Sequence, residues 1–137
     1  MKKSVIFIIF LLLFVSCKKD KNEVAGDIYN IWEAVEFMSL ESMHYTKNDN
    51  YKPVIEFQTD NKFTIKLDEN SCFGDFTLSD EDDIEIEAPG CTYICCDSEF
   101  SNKFSAMLSQ VKSYSIEGNK LKLNVPDWGW ISLELAN

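Results

Sequence analysis

The chain has no arginine and only one histidine, His44, among its 137 residues. Without arginine it lacks the planar bidentate donor that phosphate and base recognition favour. Its 13 cations, all lysine, face 23 acids, for a formal charge of −10. A surface this acidic repels phosphate backbones and anionic headgroups, which excludes nucleic acid as a partner. His44 stands in a polar stretch with nothing beside it to form a catalytic dyad, and reads as a plain surface residue. There is no Gly-x-Ser-x-Gly elbow, no phosphate-cradling glycine loop and no pair of catalytic carboxylates. The residues therefore predict a protein that is not an enzyme and holds no cofactor and no metal. Long apolar runs are also missing. The longest, Val5 to Val15, spans eleven residues, short of the roughly 20 that cross a bilayer as a helix.

That short run has a different meaning. Met1-Lys2-Lys3 precedes it as a positive n-region, and Ser16 places a small residue directly before Cys17. This is the layout of a secretory signal peptide over residues 1–16. Leu13-Phe14-Val15-Ser16-Cys17 resembles the lipobox of bacterial lipoproteins. The resemblance implies cleavage before Cys17, a diacylglycerol on its sulfur and an acyl chain such as palmitate on its amine. Two or three chains, at about 0.8 kcal/mol per buried methylene, anchor stably where one would not. Residues 17–27 then form the lipidated cysteine and a polar tether. Lys18, where aspartate would signal inner-membrane retention, points to the outer membrane, on its periplasmic or its outer face. Losing Lys2 and Lys3 leaves 11 lysines against 23 acids, a mature charge of −12.

Residues 28–137 make one domain, expected to be monomeric. Most of it reads as strands. Ile28 to Met38, around Trp32, is a first strand, and residues 39–53 look like a long loop. Phe63, Ile65 and Leu67 alternate with Thr64 and Lys66, giving a strand with one buried face. Thr59-Asp60-Asn61-Lys62 turns the chain between that strand and Val54–Phe57. Ile84-Glu85-Ile86-Glu87 alternates likewise, and Pro89-Gly90 breaks the chain before a strand from Cys91 to Cys96. Phe100, Phe104, Leu108 and Val111 recur at helical spacing, so a helix is predicted over about 98–112, capped by Asp97 or Ser98. Gly118-Asn119 is a hairpin turn, and Ile131, Leu133 and Leu135 close the chain as a strand. The expected fold is mainly β: a small antiparallel, barrel-like curved sheet with one helix packed across or plugging it.

Four cysteines besides Cys17 lie in this domain: Cys72, Cys91, Cys95 and Cys96. An even number in an oxidising compartment reads as disulfides, with three connectivities possible, of which Cys72–Cys91 with Cys95–Cys96 is disfavoured because a vicinal bridge is strained. The spacing is not Cys-x-x-Cys, and no lysine or histidine flanks it to lower a thiol pKa. Asp80-Glu81-Asp82-Asp83 lacks the glycine and downstream glutamate of a calcium loop and reads as a solvated turn. Trp128-Gly129-Trp130 is the remaining candidate binding feature. It offers either a stacking platform for a sugar, peptide or lipid chain, or packing, with one tryptophan plugging the barrel end and the other on the surface.

The run through Cys72, Gly74 and Phe76, then Thr92 four residues before Cys96, a helix, and Tyr114, Gly118, Leu121 and Leu123 resembles the META domain family, to which the heat-shock lipoprotein HslJ belongs. The resemblance implies a Cys72–Cys96 bridge, which leaves Cys91 with Cys95. It also implies a non-catalytic envelope lipoprotein linked to stress response and envelope integrity. Two alternatives are a lipocalin-like carrier of a small apolar ligand and an inhibitor or docking module for another envelope protein.

Overall fold

A computed structural model describes residues 27–39, 44–46, 53–79 and 82–137. The signal peptide, Cys17, the tether up to residue 26, Asp80 and Glu81 lie outside the described residues, as does the side chain of His44.

Among the described residues there are ten strands and one α-helix. In chain order they are β1 (Ile31–Ser39), β2 (His44–Thr46), β3 (Val54–Phe57), β4 (Lys62–Lys66), β5 (Ser71–Leu78), β6 (Ile84–Ile86) and β7 (Gly90–Cys91), then α1 (Glu99–Met107), and finally β8 (Ser113–Glu117), β9 (Lys120–Val125) and β10 (Gly129–Leu135). All neighbours pair antiparallel in the order β6-β5-β4-β3-β1-β10-β9-β8. β2 adds to β1, and β7 adds to β5 beyond β6. The two ends of this order meet. Asp83 bridges Ser113, Tyr114 N donates to Asp82 O and Ile84 N donates to Lys112 O. The sheet is thus nearly closed into a barrel with one seam.

Alternation sets which side chains face inward. Phe63 and Ile65 on β4, Leu121, Leu123 and Val125 on β9, and Ile131 and Leu133 on β10 are buried between wetter neighbours. In β1 the alternation changes phase. Trp32 and Ala34 are buried, then Phe37 and Ser39, because the pairing with β10 slips between Ala34 and Glu36 and leaves Val35 as the extra residue of a bulge. Trp32 pays no polar penalty inside, since its Nε1 donates to Ile28 O at 2.8 Å.

The turns follow their residues. Asn61 takes φ of 64° between β3 and β4, a conformation asparagine tolerates, and Gly118 takes 61° between β8 and β9. Gly129 is different. At φ 147°, a Cβ there would overlap Met38 O on β1, so only glycine lets β10 start against its partner.

The helix is shorter than its apolar stripe predicts. Ser98 caps α1 by accepting from Ser101 N at 3.2 Å, and the chain tightens into a 3₁₀ turn over Leu108–Gln110. Phe104, Leu108 and Val111 are fully buried, and Phe100 meets Phe37 of β1 at 4.7 Å between ring centroids. This helix and the inward side chains of the strands form one continuous core, with Trp32, Phe37, Phe57, Phe63 and Phe76 its largest members from the sheet.

Strand directions alternate, so the turns at 58–61 and 118–119 share one end of the barrel with Asp27. The corner between β4 and β5, the segment after β7 and the turn at 126–128 share the other end. Two sequence expectations need correction here. Residues 39–53 are not all loop, because β2 pairs with Glu36–Met38. Cys91–Cys96 is not a strand, because pairing stops after Cys91.

Candidate functional site

The cysteines are arranged by register. β7 lies against β5 with Cys91 directly opposite Cys72, Cα atoms 4.0 Å apart, and these two form a disulfide. Cys95 bonds to Cys96. The Cys72–Cys96 and Cys91–Cys95 pairs implied by the family resemblance are therefore not formed. Cross-strand pairing brings Cys91, not Cys96, to Cys72. Beyond Cys91 the chain is pulled aside before Cys95 can return.

What pulls it aside is Asn70, a buried residue in the corner between β4 and β5. Its Nδ2 donates to Ile94 O at 2.8 Å, and its Oδ1 accepts from Ile94 N at 2.7 Å. Asn70 thus satisfies both backbone groups of Ile94, as a neighbouring strand would. Thr92 Oγ1 donates to the same Oδ1 at 2.9 Å, and Thr92 N donates to Ser71 O. Two carboxylates complete the corner. Asp97 accepts from Glu69 N (2.8 Å), Asn70 N (3.1 Å) and Asn70 Nδ2 (2.6 Å). Asp68 accepts from Ser98 N (2.6 Å) and Ser101 Oγ (2.9 Å), fixing the start of α1. Partial burial works to raise the pKa of Asp97. The donors at Glu69 N, Asn70 Nδ2 and Asn70 N outweigh it, and the carboxyl sits below its ordinary value.

This scaffold holds apolar side chains in water. Tyr93 is fully exposed, Ile94 is 59% exposed, and Phe73, on β5 opposite Gly90, is 64% exposed. Cys95 and Cys96, directly after Ile94, are exposed too, with Cys96 at φ 90°. A strand through Cys96, the expectation from sequence, hides this surface, because it would place Tyr93 and Ile94 in the sheet. The signal available was the cysteine density around two apolar residues.

The sequence matches the META domain over residues 29–129. The chain belongs to the META domain family. Its architecture is also similar to two solved structures. One is a DUF4847 family protein from Bacteroides vulgatus, with a TM-score of 0.59 and 16% identity over 78% of this chain and 92% of that one. The other is a protein from Burkholderia xenovorans, with a TM-score of 0.65 and 11% identity over 87% of this chain and 97% of that one. At those identities the likeness is one of fold. Among curated proteins there is no match.

In this META domain the two tryptophans of the 126–130 segment are separated rather than combined. Trp128 packs inward, edge-on to Phe37 with centroids 6.4 Å apart, and Lys103 of α1 lies 5.3 Å from its ring. Trp130 lies on the outer side of β10 with Lys122 Nζ 4.0 Å from its ring centroid. Each is half-buried, and they do not form one platform. A shallow outer groove of about 260 Å³ near Lys122 is lined by Glu36, Glu117, Lys120 and Glu134, a mixed-sign set that defines no single ligand charge. Among the described residues no three His, Cys, Asp or Glu side chains gather as metal ligands.

Proposed function

We propose that this META domain is a non-catalytic lipoprotein of the bacterial envelope, anchored through Cys17 to the outer membrane, that works by docking to another envelope protein. A part in envelope integrity under stress is what the resemblance to HslJ-type lipoproteins adds. The observation that carries the docking reading is where the apolar side chains are. The barrel interior is occupied by its own aromatic and aliphatic residues, while Tyr93, Ile94 and Phe73 stand in solvent. A filled barrel with an exposed apolar patch fits a protein partner better than an enclosed small ligand. The same packing weighs against the lipocalin-like carrier. The non-catalytic reading is supported by the carboxylates Asp68 and Asp97, which are engaged by backbone amides and a serine rather than aimed into a cavity.

Fractionation of cells expressing the full chain or its Cys17→Ser variant tests the anchor. The unmodified chain should sediment with membranes through a high-salt wash, and the variant should be soluble. Retention of the variant on membranes would refute the lipid anchor. A stereospecific turnover that co-purifies with the domain would refute the non-catalytic reading.

A further inference from the structure

Exposed aromatic tips of loops are usually loosely held, since nothing is gained by ordering them. The segment after β7 departs from that rule. Cys91 is bonded to Cys72 and Cys95 to Cys96. Thr92 is tied to Asn70 and Ser71, Ile94 to Asn70 at both backbone groups, and Asp97 to Glu69 and Asn70. Every residue flanking Tyr93 is fixed, yet the Tyr93 ring contributes no burial to the fold. Ordering a chain segment costs conformational entropy. A contact ordered in advance does not pay that cost on association, and tyrosine is among the side chains that dominate protein interfaces.

We propose that Tyr93 and Ile94 are the docking contact for a second protein that presents an apolar pocket rimmed by lysine or arginine. Charge chooses the partner. Asp97 and Glu99 follow the segment in the chain, and Asp68 and Glu69 stand in the corner that holds it, against Lys66 and Lys103, the latter lying over Trp128. The chain as a whole carries −10. An apolar knob in an acidic field attracts a basic rim and is repelled by an anionic bilayer. Position agrees. The segment lies at the barrel end opposite Asp27, from which the tether departs. A protein anchored at Cys17 would therefore hold it away from its own membrane. The proposal rests on the docking reading above and names the surface that does it.

The test places a photoreactive benzoylphenylalanine at position 93 of the full lipidated chain in intact cells, with position 120, at the other barrel end, as control. Position 93 should give one discrete protein adduct, about tenfold above position 120, as expected of a central contact. The crosslinked peptide should map beside lysine or arginine in the partner. Ile94→Asp should abolish the adduct, and the paired Glu69→Gln, Glu99→Gln variant should reduce it several-fold while leaving the unfolding midpoint unchanged. No adduct at 93, an adduct only to lipid or to a second copy of the chain, or a partner site without basic residues would each overturn the proposal. A discrete adduct at 120 alone would refute this surface while leaving the docking reading standing.

Discussion

Asn70→Ala tests the scaffold of the exposed segment most sharply. The side chain makes four hydrogen bonds, to Ile94 N, Ile94 O, Thr92 Oγ1 and Asp97 Oδ2, all at 2.6–2.9 Å. At a net value of about 0.5–1.5 kcal/mol each, they sum to roughly 2–6 kcal/mol. Thr92 and Ile94 are exposed and can recover water partners, so the lower part of that range applies, about 2–3 kcal/mol. For a domain of this size that loss lowers the melting temperature by roughly 10 °C. Urea unfolding followed through the buried Trp32 should show the midpoint fall with the slope unchanged. Hydrogen exchange should lose protection at Ile94 N while the β9–β10 ladder keeps its own. Asn70→Asp should be at least as harmful at neutral pH, because it sets a second carboxylate against Asp97, and should recover as acid neutralises the pair. A loss below about 0.5 kcal/mol, the level of an ordinary surface change, with Ile94 exchange unaltered, would refute the assignment of Asn70 as the anchor.

Phe104→Ala and Leu108→Ala each empty a fully buried position under α1 and should cost about 2–5 kcal/mol, whereas the exposed side chain of Lys112 should tolerate alanine within about 0.5 kcal/mol. Denaturant midpoints of the three variants decide whether the helix belongs to the core. Gly129→Ala combines a glycine-only backbone angle with a clash at Met38 O, and should destabilise by about 3 kcal/mol, read as a lower melting temperature. Asp97 has a folded pKa below its unfolded value, which is near 3.9. Its contribution is therefore complete above about pH 4 and is lost as the pH falls through the lower folded value. Unfolding midpoints between pH 5 and pH 2 should consequently decline more steeply for the native chain than for Asp97→Asn.

Local signals in the sequence recovered the elements that depend on local physics. Phe63, Ile65 and Leu67 announce the face of β4 and its extension, Phe104, Leu108 and Val111 the buried stripe of the helix, and Gly118-Asn119 the hairpin, and all are where the spacing places them. What escaped depends on residues far apart in the chain. Asn70 captures Ile94 across 24 positions, and that capture ends the strand after Cys91 and decides which cysteines meet. The β1 bulge at Val35 hides the alternation of the first strand, since it can be seen only against β10. The sequence left open whether Trp128 and Trp130 act together or divide between the barrel end and the surface, and they divide. Phe37 claims one and Lys122 the other, and the sheet register brings both partners in.

The docking proposal has this META domain act through its surface and not through its interior. Methyl-labelled protein titrated with a fatty acid such as oleic acid tests it directly. Ile55, Leu123 and Ile131 report the barrel interior, and Ile94 reports the exposed segment. The three interior methyl signals should stay in place throughout the titration. Saturable shifts at those interior methyls would contradict the proposal and establish a carrier.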